Sequence, residues 1–97
     1  AGAELERQRA EQALRASGVP YTVVRPGGLL NKPGRQQTVV FEQGDTVSAQ
    51  TTIARADVAD ICVQALKYPE ALNKTFEASS IAGPPTTDWR ARFAALK

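Results

Sequence analysis

The first clear periodic pattern in the chain is an apolar stripe over residues 3–17. Strong helix formers fill this segment, and its apolar members recur at helical spacing among charged residues. These members are Leu5, Ala10, Ala13 and Leu14. Gly18 follows, and glycine commonly ends helices because it adopts a left-handed conformation at low cost. The pattern predicts a helix that ends at Gly18.

A short strand pattern follows this helix directly. Residues 21–25 read YTVVR, a β-branched and aromatic run between Pro20 and Pro26. A helix that ends on glycine and leads into a buried strand within a few residues is typical of a βαβ unit. The fold class predicted from this arrangement is α/β.

The middle of the chain predicts a loop and further extended segments. Residues 26–34, PGGLLNKPG, contain two prolines and three glycines and predict a loop of at least two turns. Residues 37–45 have a strand pattern, and residues 46–54 predict a shorter extended segment after the Gly44–Asp45 turn. Residues 73–80 predict one more strand.

Two further helices are predicted in the second half of the chain. Residues 55–68 form one that ends before Pro69, because the residue preceding a proline avoids the helical conformation, and Asp57 is its predicted cap. Its predicted buried face consists of Val58, Ile61, Cys62, Ala65 and Leu66. Residues 86–97 predict a terminal helix with a cap at Thr86, Thr87 or Asp88 and a stripe of Trp89, Phe93 and Leu96.

A chain of 97 residues is at most one small domain, and the predicted elements indicate part of one. Three helices and three to five short strands leave a parallel sheet with few members and at least one uncovered flank. A domain of this size buries only about 60% of its unfolded surface, so its stability alone would be marginal. We therefore interpret residues 1–97 as one partial domain whose missing strands come from the same precursor or from a partner chain.

Composition narrows the classes of function. Twelve basic and ten acidic residues are interleaved, so the net charge of +2 gives no concentrated surface for nucleic acid. With no His and one Cys, the chain itself supplies no disulfide framework, His-containing zinc site or Ser-His or Cys-His dyad, and no metal site is predicted. Cys62 is interpreted as a small buried apolar residue. No apolar run approaches the roughly 18 residues of a membrane span, and the charged start does not resemble a secretion signal.

Two stretches in this order carry a family resemblance: AEQALRASGVPYTVVRPGGLLNKPG and IARADVADICVQALKYPEALNKTFE. They resemble the C-terminal half of an atypical short-chain dehydrogenase/reductase of the NmrA-like and plastid Tic62-like branch. The resemblance implies the C-terminal portion of a Rossmann-like parallel sheet, without the N-terminal glycine-rich half that holds the pyrophosphate. It implies NADP or NAD as the cofactor of the complete domain, and a soluble protein of the cytoplasm or the plastid stroma.

The resemblance also implies which residues would meet the cofactor. Those at the nicotinamide end are Pro26, Gly27, Gly28 and Leu29. The family's Tyr-x-x-x-Lys dyad falls on Ala3 and Arg7, so no catalytic residue is predicted, and Arg7 would take over the ribose contact of the Lys. The structural alternative is that the glycines only supply positive φ and the proline only ends the strand.

Charged residues near the predicted loop have structural interpretations as well. Arg25 ends a buried strand and needs a partner, for which we predict an acidic residue such as Asp57. Asp57 and Asp60 lie three apart on one helical face and are interpreted as capping and solvated residues. Glu11 and Arg15 have the i,i+4 spacing of a weak surface pair.

Two hypotheses of function remain open. In the first, the chain is the C-terminal part of an NAD(P)-binding reductase-like protein that is redox-active or redox-sensing when complete. In the second, the degenerate reductase fold is a non-catalytic scaffold or assembly subunit. The substitutions at Ala3 and Arg7 favour the second hypothesis, whereas the retained Gly27–Gly28 loop favours the first.

Overall fold

The computed structural model describes residues 2–44 and 51–97, in which three helices and five strands are found. The helices are α1 (Gly2–Ala16), α2 (Arg55–Lys67) and α3 (Trp89–Ala94), and a short 3-10 turn covers Pro69–Ala71. The strands are β1 (Thr22–Pro26), β2 (Gly28–Leu30), β3 (Thr38–Glu42), β4 (Thr52–Ala54) and β5 (Lys74–Ile81). The predicted α/β class and the three predicted helices are confirmed.

The strands of the described residues form two small sheets. The first has the order β1-β5-β3, in which β1 runs parallel to β5 and β3 runs antiparallel to it. In the second, β2 pairs with β4 in parallel. The predicted Rossmann-like parallel pairing is confirmed at β1 and β5, and β3 adds an antiparallel edge to it. Mixed sheets of this kind are common in α/β folds.

The core lies against one face of the first sheet. Side chains alternate along β5, so Phe76 and Ala78 point into the core while Glu77 points to the opposite face. The rings of Phe76 and Phe93 are fully buried with centroids 6.1 Å apart, and the ring of Phe41 lies 4.3 Å and 5.3 Å from them. Helices α2 and α3 close this face with Ile61, Trp89 and Phe93.

Several element boundaries differ from the prediction. Residues 28–30 form β2 inside the segment predicted as a loop. Helix α3 begins only at Trp89, because Thr86 accepts the N–H of Val39 with its hydroxyl oxygen at 2.9 Å and so supports β3. Asp88 occupies the N-cap position without a side-chain cap hydrogen bond. In the extended segment predicted over 46–54, β4 covers residues 52–54, and residues 45–50 lie outside the described ranges.

Helix α2 buries a narrower face than the sequence predicts. Ile61 is fully buried, and Val58 and Ala65 are half-buried. The prediction that Cys62 and Leu66 are buried is wrong, because both are exposed, Leu66 to 89%. They follow Ile61 and Ala65 by one position, about 100° further round the helix, and therefore point away from the core.

The two edges of the first sheet have different surroundings. At β3, Arg92 Nη1 donates to the carbonyl of Val39 at 2.9 Å, so the C-terminal segment covers that edge. At β1, the N–H of Gly27 donates to the carbonyl of Ala78, which faces β5. Backbone groups of successive strand residues point in opposite directions, so the N–H and C=O of Val24 point away from β5. Among the described residues, no strand pairs with this outer side of β1.

Replacing Phe76 by Ala tests the core. The side chain is fully buried against Phe41 and Phe93, so its loss leaves a cavity that the remaining rings fill only in part. We expect the free energy of unfolding to fall by about 3–5 kcal/mol in urea denaturation. Leu66→Ala is the control at an exposed position and should change that free energy by less than about 0.5 kcal/mol. Equal losses in the two variants would contradict this description of the core.

Candidate functional site

The segment Pro26–Leu29 lies at the carboxyl end of β1, between the two sheets. Its backbone is tied on both sides: Gly27 donates its N–H to the carbonyl of Ala78 at 2.9 Å, and Gly28 donates to that of Thr51 at 2.9 Å. The chain then continues as β2 alongside β4. The segment is therefore a backbone bridge between the two sheets, where the sequence predicts a loop.

Gly27 is required by a close backbone approach. A Cβ at this position would lie 2.8 Å from the carbonyl oxygen of Thr51, a distance that real Cβ atoms do not show. A Cβ at Gly28 would lie 3.5 Å from the same oxygen, which is an ordinary contact. Neither glycine has a positive φ. The structural alternative that they supply positive φ is thus wrong, and the reason for Gly27 is space.

The outer side of this bridge is open to solvent. Pro26, Gly28 and Leu29 are exposed, the last to 41%, while Gly27 is half-buried. In open α/β sheets, ligands bind outside the carboxyl ends of the parallel strands, which is where this segment lies. Its fixed backbone and accessible surface are the properties that a ligand contact requires.

Arg25, which directly precedes the bridge, forms an ion pair with helix α1. Its Nε and Nη2 donate to the two carboxylate oxygens of Glu11 at 3.2 and 2.5 Å, and Arg15 Nη2 donates to the same carboxylate at 3.2 Å. The prediction of an acidic partner for Arg25 is therefore confirmed, but the partner is Glu11 and not Asp57. The i,i+4 spacing predicts only a weak surface pair between Glu11 and Arg15. No spacing rule connects Glu11 to Arg25, 14 positions away.

Asp57 has a different task from the predicted one. It occupies the third position of α2, is 4% exposed and accepts the backbone N–H of Arg35 at 2.8 Å. Because Ala54 is the N-cap and no side chain caps the helix, the predicted capping role is wrong. Arg35 has a φ of 59°, so Asp57 secures a left-handed turn in the segment between β2 and β3.

Asp60 anchors the side chain of the same arginine. Arg35 Nη2 donates to its carboxylate at 3.2 Å, and Gln64 Nε2 donates at 3.3 Å. Partial burial would raise the pKa of Asp60, but the hydrogen bonds from Arg35 and Gln64 outweigh it and hold the pKa below its ordinary value. The two aspartates of α2 therefore fix a loop and have no geometry of an acid-base pair.

Arg7 lies at the same end of the sheet as the bridge. Arg15 reaches Thr75, which is level with Val23, and Glu11 reaches Arg25, so α1 runs antiparallel to β1. One more helical turn, about 6 Å, leads from Glu11 to Arg7 on the same face. Two strand residues, about 6.6 Å, lead from Arg25 to Gly27. From these rises we expect Arg7 to lie about level with Gly27. Its exposed side chain has Glu4 as a neighbour at 4.0 Å.

An apolar groove lies at the opposite end of β1. Its volume is about 500 Å³, and its lining includes Tyr21, Cys62, Leu66, Tyr68 and Leu72. These residues lie just before β1, in the C-terminal half of α2 and on either side of the 3-10 turn, and Val24 of β1 also lines the groove. None of the bridge residues Pro26–Leu29 lines it, whereas the exposed Cys62 does.

The described residues contain no group of three or more metal-ligating side chains. They also contain no helix that is long and apolar enough to cross a membrane. The candidate site consists of the bridge Pro26–Leu29 and of Arg7 on α1.

Comparison with known proteins relates this arrangement to a family. A profile of NAD(P)H-binding proteins matches residues 3–69, more than half of the chain. An uncharacterised chloroplastic protein of Arabidopsis thaliana and sanguinarine reductase of Eschscholzia californica are each 44% identical over 92 residues, 90% of this chain. The chloroplastic protein TIC 62 of Pisum sativum is 34% identical over 67 residues, 67% of this chain. The chain spans only 28%, 34% and 12% of these relatives' lengths. The resemblance stated from the sequence is confirmed.

The two glycines of the bridge offer a matched pair of substitutions. Gly27→Ala places a Cβ 2.8 Å from the carbonyl oxygen of Thr51, the residue that precedes β4, so the two sheets must separate locally. We expect a loss of about 1–3 kcal/mol in the free energy of unfolding, measured in urea. Gly28→Ala introduces only an ordinary contact and should cost less than about 1 kcal/mol. A larger loss for Gly28→Ala would contradict the close-approach explanation.

The ion pair of Glu11 predicts an acid-dependent loss of stability. The hydrogen bond from Arg25 and the nearby arginine charges hold the pKa of Glu11 below its ordinary value of 4.5, although partial burial opposes them. The unfolded chain therefore binds the proton more readily, and the stabilisation present above that value is lost as the pH falls through the folded-state pKa. Glu11→Gln should lose about 1 kcal/mol at neutral pH.

Urea denaturation at a series of pH values measures this effect. Between about pH 5 and pH 3, the free energy of unfolding of Glu11→Gln should decline less steeply than that of the unmodified protein. Glu6→Gln, an exposed change on the same helix, is the control and should keep the original slope. Identical slopes for all three proteins would show that the Glu11 pair does not form in solution.

Proposed function

The chain belongs to the NAD(P)H-binding family, and from this premise we propose that it forms the nicotinamide-side part of a cofactor site in a longer reductase-like protein. The observation that carries the proposal is the fixed, solvent-accessible bridge Pro26–Leu29 at the carboxyl end of a parallel strand. NADP or NAD would lie along this backbone. The portion that holds the pyrophosphate would belong to the rest of the polypeptide.

Arg7 supplies the charge on the second side of the proposed site. The helical rise from Glu11 leads us to expect it about level with Gly27, and its guanidinium is a permanent cation with several donors. A ribose hydroxyl or a phosphate oxygen of the cofactor can accept from it. Pro26, Gly28 and Leu29 would provide the surface on which the nicotinamide ring rests, and Gly27 keeps that surface in place.

A redox role is the finer part of the proposal. Sanguinarine reductase, one of the relatives, is a reductase by name and matches 90% of this chain. Ala3 stands where the family dyad would have its tyrosine, and an alanine has no proton to donate. We therefore propose that the complete protein binds the cofactor and acts as a redox enzyme or sensor without a proton donor at this position.

A scaffold subunit is the second candidate function. It is favoured by the same Ala3 and by helix α1, in which no described residue is fully buried and Leu5 is exposed. In this alternative the reductase fold serves assembly, and the bridge keeps its role of joining the two sheets. Cofactor binding by the complete protein separates the two candidates.

The rest of the same polypeptide is the partner that we propose for β1. The outer side of β1 presents the N–H and C=O of Val24, which lies between Val23 and Arg25, and no strand of the described residues pairs with it. The relatives are about three or more times as long as the matched region, which leaves ample chain for a further strand. A neighbouring segment would also cover the groove around Leu66.

Because several relatives are chloroplastic by name, we propose the plastid stroma as the compartment of the complete protein.

Titration of the complete protein with NADPH and NADH tests the proposed function. We expect saturable binding, which is measured by the change in fluorescence of the reduced nicotinamide. Arg7→Ala should weaken it by about tenfold, since one charge-assisted contact is lost. Arg9→Ala, an exposed change on the same helix, is the matched control and should leave the affinity unchanged. Absence of saturable binding with both dinucleotides would reject this function and favour the scaffold.

Hydrogen exchange of the complete protein tests the proposed strand partner. If a further strand pairs with β1, the amide of Val24 should exchange as slowly as those of Val23 and Arg25, which face β5. An unpaired edge would leave the Val24 amide exchanging faster by orders of magnitude, because it would donate only to water. Fast exchange at Val24 alone would contradict the proposed pairing.

A further inference from the structure

Helix α1 is attached to the sheet mainly by charged side chains. Among its described residues, only Glu11 and Leu14 are half-buried, and none is fully buried. Apolar burial is what usually fixes the position of a helix in a protein. Here the hydrogen bonds of Glu11 contribute more to fixing the position of α1. Its pair with Arg25 is bidentate, which restricts the geometry of the contact.

The sheet side of this ion pair is directly connected to the bridge. Arg25 is paired in register with Glu77 of β5 and is followed directly by Pro26. Gly27 and Gly28 are hydrogen-bonded to Ala78 and Thr51 on the two sides of the bridge. The ion pair therefore positions the helix against the bridge.

The helix carries Arg7 toward the same end of the sheet. Arg7 shares the face of Glu11 one turn earlier, and the helical rise from Glu11 leads toward the carboxyl end of β1. Its side chain is 69% exposed, and its neighbour Glu4 is exposed to a similar degree at 4.0 Å. Because this neighbour belongs to α1 itself, the position of Arg7 relative to the bridge depends on where α1 sits on the sheet.

We propose that Glu11 is a positioning residue for cofactor binding. Through its pair with Arg25, it holds α1 at the height at which Arg7 reaches a ribose hydroxyl or phosphate oxygen of a dinucleotide on the bridge. Glu11 itself does not touch the cofactor, and its carboxylate is balanced by Arg15 and Arg25. This inference rests on the proposed cofactor site and assigns within it a residue that acts through Arg7.

A double-mutant cycle on the complete protein, titrated with NADPH, tests this role. Glu11→Gln keeps the shape of the side chain and removes its charge, and it should weaken binding by about tenfold, as Arg7→Ala does. The double variant should bind no more weakly than Arg7→Ala alone, because Glu11 has no effect once Arg7 is absent. A purely structural role for Glu11 would give losses that multiply. The free energy of unfolding of each variant, measured in parallel, shows whether the protein remains folded.

Two further variants keep the experiment decisive. Glu11→Asp retains the carboxylate but withdraws it by one methylene group, and it should give an intermediate affinity even if Glu11→Gln fails to fold. Glu6→Gln, at an exposed position of α1, should bind like the unmodified protein. Unchanged affinity in folded Glu11→Gln, or multiplying losses in the cycle, overturns the positioning role. No binding by the unmodified protein overturns the proposed function, and this inference with it.

Discussion

Strand β5 pairs with a strand on each side and places side chains on both faces of the sheet, and the rest of the structure depends on it. Its backbone pairs in parallel with β1 and antiparallel with β3. Its alternation sends Phe76 and Ala78 into the aromatic core and Glu77 to the opposite face, in register with Arg25 and Glu42. A one-residue slip would exchange these faces and place a carboxylate among aromatic rings, so the register is strongly determined.

The bridge follows from that register. Once β1 is fixed against β5, Gly27 is directed at Ala78 on one side and lies against the backbone of Thr51 on the other. Two sheets meet there at a distance that only a glycine permits. The result is a backbone surface hydrogen-bonded on both sides at the carboxyl end of a parallel strand, which is where open α/β sheets bind their ligands. The close approach of Gly27 to Thr51 and the proposed contact of the bridge with a cofactor are therefore compatible explanations of these glycines.

Local patterns predicted most of the elements. The helix ending near Gly18, the strand between two prolines and the helix ending before Pro69 all appear, because their signals lie within a few residues of the element itself. The position of the bridge at the end of β1 was also available from the order of the elements. The extent of burial on α2 was not, since Cys62 and Leu66 have the spacing of a core face, but the sheet below covers only the stripe of Ile61.

The sequence by itself determined the α/β class, the family and the glycine-containing segment, because composition, periodicity and short motifs are local properties. Only the tertiary structure decided which charges meet. Arg25 pairs with Glu11 and not with Asp57, and Asp57 holds the turn at Arg35. Such contacts join residues 14 to 22 positions apart, and their formation depends on how α1 and the loop after β2 pack on the sheet. Spacing along the chain contains no information on that packing.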